Sequence, residues 1–311
     1  MLDPDKIYKD LHGNLHSLDQ QRLAHYRKVE PFKWGFWSIF LAGGSFLIGY
    51  ANLNGDERTV IYAITYGVLV FLSVILYAVM HNNQLKKFKV KFLSTIAPKI
   101  INNLGNSFRY NYDGAIPTDV IKASRIFPNF DKYSCQDLVN GDLNGTPITF
   151  AEVDLVKRQH SNNQTTHTTV FSGIFFQAEL PISFPTGIWI VPWHQWKSFF
   201  GDDRKRLKLD HPALKRYRVY TDDLAIAEKI LQSFILDRIA DVNKKLKERK
   251  IAKLPLNYHF EGNTIQMAIS TKYRFMEPKL GESIDDVEFI RKQTDLLNAL
   301  GSLLQDLTLV K

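Results

Sequence analysis

A single cysteine, Cys135, stands in a chain of 311 residues. That count excludes an intramolecular disulfide and a zinc site built from several thiolates, and it fits a reducing compartment. The glycine-rich signatures of nucleotide sites are missing too. No GxGxxG follows a strand-like run, and no loop ends in GK[ST]. HExxH, GxSxG and CxxC are absent as well. These gaps weigh against the common dinucleotide, phosphate-loop, metallopeptidase, serine-hydrolase and thiol-redox classes. Residues 1–33 lack the apolar core of a cleavable signal peptide, so any targeting is expected to fall to an internal apolar segment. There is no repeat of fixed period and no sustained heptad run.

The most consequential absence is of charge. No residue from Trp34 to Leu53 is charged, and none from Thr59 to Met80. Each run is about 20 residues, enough for a helix rising ~1.5 Å per residue to cross a hydrocarbon core of ~30 Å. Trp34, Trp37 and Tyr50 flank the first run, and Tyr62 and Tyr77 the second, where amphipathic rings prefer a membrane interface. Gly43 and Gly44 lie mid-run, where small residues let helices approach closely. The competing reading is a buried helical hairpin in a soluble protein.

Between the runs, residues 52–58 carry Asp56, Glu57 and Arg58. The outer flanks are richer in positive charge: Arg27, Lys28 and Lys33 before, and Lys86, Lys87, Lys89 and Lys91 after. The positive-inside rule predicts a multi-pass protein with both termini cytoplasmic. The expected organisation is a cytoplasmic segment 1–33, transmembrane helices 34–53 and 59–80, a juxtamembrane basic helix 81–109, and a cytoplasmic domain 110–311. Within 81–109, Leu85, Phe88, Phe92, Ile96 and Ile100 recur at helical spacing with lysines between them. This predicts a basic face against anionic headgroups, or a solvated face on a domain helix. Pro98 should kink or end that helix.

Beyond residue 110 the pattern turns strand-like. Residues 136–158 offer two Asn-Gly turns and an alternating run through Ile148, Phe150, Val153 and Leu155. The alternation slips at Ala151 or Glu152, which predicts a bulge there. Residues 159–169 are polar and predict a loop. Residues 170–180 and 186–193 predict two buried strands, and 217–221 a short one. Residues 254–271 predict a hairpin turning at Gly262-Asn263. Thr221-Asp222-Asp223 offers N-cap chemistry for a helix over 224–249, with Ile226, Ile230, Phe234, Ile235, Ile239 and Val242 on one face. Ser283 with Asp286 resembles a capping box opening a last helix to about Leu307. The predicted fold class is α+β: a transmembrane helical hairpin, then an antiparallel sheet with two long packed helices. The order of strands, hairpin and closing helix is loosely pleckstrin-homology-like, although the 224–249 helix departs from that pattern.

Three stretches carry a family resemblance: "SRIFPNFDKYSCQDLVNGDLNGTPITFAEVDL", "VFSGIFFQAEL" and "FMEPKL". Their motifs are an Asp137-to-Gly141 turn, a Phe171-x-Gly173-x-Phe175 strand and a Glu277-Pro278 pair. They are similar to an uncharacterised family of bacterial two-span membrane proteins with a cytoplasmic α+β region, a domain of unknown function. The resemblance implies the bacterial cytoplasmic (inner) membrane and brings no catalytic residues.

Four local groupings remain. His160 and His167 flank a Ser/Asn/Thr loop and are expected to be solvated. Asp202, Asp203, Asp210 and His211 could hold a divalent ion, but Arg204, Lys205, Arg206 and Lys208 would repel it. Trp189 is expected in the core, with Trp193 and Trp196 available to a bilayer interface beside His194. Cys135 has no base beside it in sequence, so a nucleophilic role is not expected. Net charge is +8 and the isoelectric point 9.3, with a mean hydropathy of −0.20. With no nucleic-acid motif present, the basic clusters (Lys86, Lys87, Lys89, Lys91, Arg204, Lys205 and Arg206) are assigned to anionic lipid rather than nucleic acid.

Three functional readings stand. The first is a membrane-anchored binding or scaffold module near lipid, with a protein partner at the inner face, no cofactor and no metal. The second is an enzyme using Asp137, Glu152, His194 and His211. The third is a subunit of an oligomeric transport assembly, since two uncharged spans cannot line a polar path alone.

Overall fold

The structure is a computed structural model that describes residues 2–53, 57–105, 107–143, 145–161, 164–193, 204–231, 235–248, 250, 252–253, 255–271 and 274–308. The chain divides into two compact units. One comprises Met1–Asp10, Ile96–Glu277 and Val287–Lys311; the other comprises Leu11–Thr95 and Pro278–Asp286.

The second unit is helical. Helix α1 runs Pro4–Leu53, of which the residues from Leu11 on belong here, and α2 runs Glu57–Thr95. The two charge-free runs lie inside these helices, which continue beyond them at the polar end. There the amphipathic reading of α2 holds. Phe88 and Phe92 are buried while Lys86, Lys87 and Lys91 are exposed. The interruption expected at Pro98 also appears. Helix α2 stops at Thr95, and a short α3, Ala97–Asn102, carries the proline in its first turn, where no amide is needed.

The first unit is an antiparallel sheet with helices. Its strands are β1 (Arg109–Asn111), β2 (Lys132–Leu143), β3 (Thr146–Ser161), β4 (Gln164–Pro192), β5 (Lys205–Leu207), β6 (Tyr217–Thr221) and β7 (Asn257–Ile269). Among the described residues the order is β1-β2-β3-β4-β6-β5, with β7 also on β4. Strand β3 pairs with β4 up to Ala178, and β6 pairs with β4 from Ile188, while β7 overlaps both stretches. Therefore β3 and β6 share one edge of β4 and β7 takes the other.

Several expectations need correction. The 170–180 and 186–193 strands are one strand, β4. From Glu179 to Ile188 it advances nine residues while β7 advances four, from Thr264 to Phe260. Pro181 and Pro185 fall in this bulged stretch, where their missing amides break no ladder. The hairpin at Gly262-Asn263 does not form, because β7 stays on β4 from Tyr258 to Ile269. Gly262, with φ +56, only bends it. In the polar 159–169 run, residues 159–161 and 164–169 are strand, with Gln159 facing Thr166 and Arg158 facing His167, and 162 and 163 lie outside the described residues. Of the glycines in the two Asn-Gly pairs, only Gly145 lies at a turn. Gly145, with φ +84, follows β2, and its N–H donates to Asp142 Oδ1 at 2.7 Å. Asn140-Gly141 is mid-strand, and a Cβ on Gly141 would lie 2.4 Å from the Phe108 ring that covers it. The Asp137-to-Gly141 motif is thus strand, not turn. The bulge sits on β2, where Asp137 and Leu138 oppose Ala151, because the register jumps from Gln136↔Glu152 to Val139↔Phe150. Residues 202–212 contain β5, with 202 and 203 outside the described residues.

The helices cover both faces. On one face Ile116, Ile121 and Ile126, around helix α4 (Thr118–Ala123), pack with Val153, Phe175 and Trp189. Helices α5 (Leu224–Leu231) and α6 (Ile235–Glu248) occupy the predicted 224–249 helix, and Phe234 lies outside the described residues. Asp223 Oδ1 caps α5 by accepting from the Ile226 N–H at 3.0 Å. The buried positions are Ala227, Leu231, Ile235, Leu236, Ile239, Val242 and Leu246, whereas Ile226 is exposed. Helix α7 begins later than expected, at Val287, and runs to Thr308. Ser283 Oγ accepts from Asp285 N–H in a turn instead, and the Ile284 amide already donates to Asp19 Oδ1.

Candidate functional site

Two helices are long and apolar enough to cross a membrane, and nothing in their apolar windows is buried inside the protein. Trp34 is 61% exposed, Phe71 65% and Leu53 85%. A soluble hairpin of that composition would bury one face. The two helices touch through Tyr66. Its ring lies where a Cβ on Gly43 would sit, 2.5 Å away, and its hydroxyl donates to the Phe40 carbonyl at 2.7 Å. Gly43 therefore does what its place in the run predicts. Tyr50 and Tyr62 meet edge-on at 4.9 Å, forming one aromatic tier. Trp34, Trp37 and Tyr77 lie ~20–24 Å along the helices from that tier at ~1.5 Å per residue, with Lys33 Nζ 6.0 Å from the Trp34 ring.

Below the apolar stretch, the segment Pro278–Asp286 is fastened to α1. Asp19 Oδ1 accepts from Ile284 N–H at 2.9 Å and from Arg22 Nε at 2.7 Å, and Arg22 also donates to the Leu280 carbonyl. Burial pushes the Asp19 carboxyl up, but the Arg22 and Ile284 bonds outweigh it and hold it below its ordinary value. His12 and His16 both reach Asp285, at 3.0 and 2.9 Å. Among the described residues no group of three or more His, Cys, Asp or Glu is placed to hold a metal ion.

The assigned basic residues are placed as follows. Lys86, Lys87 and Lys91 are exposed and Lys89 half-buried on α2; Lys205 and Arg206 are exposed on β5. Arg204 is half-buried over the Trp189 ring at 4.6 Å, on a tryptophan that is itself 1% exposed. His259 stacks on that tryptophan at 4.6 Å, and burial lowers its pKa. Trp193 is 53% exposed; His194 and Trp196 lie outside the described residues.

Of the enzyme suspects, the fold brings Asp137 and Glu152 together. The bulge holds Asp137 at φ +59, where its Oδ1 accepts from the Tyr110 hydroxyl. Glu152, 2% exposed, accepts from Gln136 Nε2 at 2.9 Å and lies 3.4 Å from Arg274. Arg274 also reaches Asp154 at 2.9 Å and Glu277 at 3.6 Å. Burial, aided by Asp137 and Glu277, pushes Glu152 up to about 7 against the pull of Gln136 and Arg274. Burial and Asp137 likewise raise the Tyr110 hydroxyl. His211 is elsewhere, 3.4 Å from Asp237. Neither cavity described here, one in the hairpin and one beside Leu2, is lined by these carboxylates. Burial raises the Cys135 thiol above its ordinary value.

A half-open pocket of about 150 Å³ lies in the sheet unit between α7 and the strands. Phe108, Ile148 and Phe150 form its floor, Leu297 and Gly301 its wall, and Leu2 its rim. Asn298 holds Leu2 by both main-chain groups: Leu2 N–H donates to Oδ1 at 2.6 Å, and Nδ2 donates to the Leu2 carbonyl at 2.9 Å. Sequence reasoning missed Arg274 and Asn298. The signal for Asn298 was a lone amide in the apolar run of residues 296–304.

No curated protein matches the chain. Among solved structures, the crystal structure of the mycobacterial trehalose monomycolate transport factor A, TtfA, is similar at 12% identity, covering 69% of this chain and 95% of that one. Its TM-score is 0.34. The Phe171–Phe175 strand and the Glu277-Pro278 pair fall inside a family match, and the 124–155 stretch outside it. Over residues 169–309 the chain matches the model of an uncharacterised family, described as a protein of unknown function (DUF3137).

Proposed function

We propose that the chain is a membrane-anchored binding module. Residues 34–53 and 59–80 cross the bilayer, both ends of the hairpin are cytoplasmic, and the sheet unit works near anionic lipid at the inner face of a bacterial cytoplasmic membrane. One observation carries the reading. Of 24 exposed large hydrophobic residues among those described, 20 lie between Trp34 and Val79. In water such a surface would associate or precipitate, whereas hydrocarbon solvates it. The lysines of α2 and the basic residues around β5 support a lipid partner.

Cys135 is half-buried and reports topology poorly. Single cysteines in a Cys135→Ser background are better probes: Glu57→Cys at the tip and exposed Asn82→Cys on the basic side. A membrane-impermeant maleimide should label position 57 in intact cells, and position 82 only after permeabilisation. The reverse pattern would overturn the orientation, and labelling of both in intact cells would overturn the spans.

A further inference from the structure

Leu2 is held as a bound peptide would be. The Asn298 amide oxygen accepts from the N–H, and one of its two amide N–H groups donates to the C=O, of a single residue. That pairing reads main chain and ignores side-chain identity, as a sheet edge does when it captures a strand. The adjoining pocket then selects by shape. No charged side chain lines it among the described residues; Phe108, Phe150 and Leu297 give it apolar walls, and Asn103, Ser302 and Gln305 add polar groups. Its remaining volume of about 150 Å³ is unfilled by Leu2, and cavities near that size take up apolar groups such as a benzene ring.

We propose that the pocket between α7 and the sheet, with Asn298 at its mouth, binds an extended segment of a partner protein, anchored by one apolar side chain, and that Leu2 holds the Asn298 clamp in cis. The inference deepens the binding-module reading by naming its ligand class. A tethered occupant acts at an effective concentration near millimolar. An outside peptide is therefore weakened by the fraction of chains whose site is closed. The site is switched on by releasing Leu2.

The probe is acetyl-Leu-Asp-Pro-Asp-Lys-amide with fluorescein on the lysine, titrated to millimolar against the full-length protein in detergent. Leu2→Pro removes the N–H that Asn298 accepts, and α1 starts only at Pro4, so the helix is untouched. It should bind the probe at least tenfold more tightly than the unaltered chain. Adding Asn298→Ala should reverse that gain. So should Gly301→Leu, whose side chain enters the pocket from a position where a Cβ meets only Leu143, at 3.6 Å. With two blocking variants, misfolding of one leaves the other informative. Leu2→Pro binding no better than the unaltered chain, or binding that survives both blocking variants, would overturn the proposal. A dimer of the unaltered chain that Leu2→Pro dissolves would overturn the assignment to a different protein in favour of a second copy. Failure here leaves the thiol-labelling result, and with it the anchor, untouched.

Discussion

Strand β4 and the hairpin both carry runs of large apolar side chains, yet they treat them in opposite ways. Phe175, Phe176, Ile188, Trp189 and Ile190 are at most 1% exposed, because three strands and helices on both faces meet β4. Ile64, Phe71 and Leu72, at more than half exposed, find no such cover. Apolar composition alone therefore does not make a core. It makes a surface that needs a solvent, and the hairpin's solvent on this account is lipid.

The comparison breaks most sharply at two glycines. A Cβ on Gly173 would lie 2.2 Å from the Ile269 carbonyl oxygen, at φ +154. Backbone cannot step aside, so Gly173→Ala should cost about 4 kcal/mol or more, read by chemical denaturation. A Cβ on Gly43 meets the Tyr66 ring, which can swing, and Gly43→Ala should cost only about 1 kcal/mol. Equal losses would show that hairpin and sheet are packed alike.

Buried charge sharpens the same contrast. Glu152 titrates near 7 in the fold against about 4.5 when unfolded. A raised carboxyl stabilises fully below the unfolded value, and this contribution is lost as pH rises through 7. Over pH 4.5–7 the loss is roughly 3 kcal/mol. Glu152→Gln should remove that slope, so its stability relative to wild type rises with pH across the window. Parallel pH profiles of variant and wild type would refute it.

An exposed site on each unit makes the next test. Leu72→Arg should cost about 3 kcal/mol of insertion free energy and lower the carbonate-resistant membrane fraction. Ile226→Arg, on exposed α5, should cost under about 0.5 kcal/mol. The smallest effect concerns lipid charge. A fluorophore on Asp210→Cys (Cys135→Ser background), in proteoliposomes, should transfer energy to acceptor lipid better in anionic than neutral bilayers, and the difference should fade with salt. A salt-independent signal would turn the basic clusters toward another partner.

How much could be read from residues alone depended on range. The hairpin, the basic face of α2 and the Trp189 core position were legible because charge-free length and periodicity are local signals. Strand β4 was not, because Pro181 and Pro185 look like strand ends when their tolerance comes from a bulge against β7. The slip near Ala151 marked the right level but the wrong strand, since the extra residue sits on β2. Half of the carboxylate cluster was foreseen in Asp137 and Glu152, but Arg274 lies more than 100 residues on. The Leu2–Asn298 clamp joins residues 296 apart and leaves no trace in any window.

The most direct measurement is spin-label accessibility in reconstituted bilayers, with single labels at Ile64, Leu72, Val79 and Asn82 in the Cys135→Ser chain. Membrane-spanning helices give oxygen-dominated relaxation at Ile64, Leu72 and Val79 and a polar-nickel-reagent response at Asn82. Nickel accessibility at all four positions would contradict the spans, and the hairpin would then be an exposed soluble surface awaiting a protein partner.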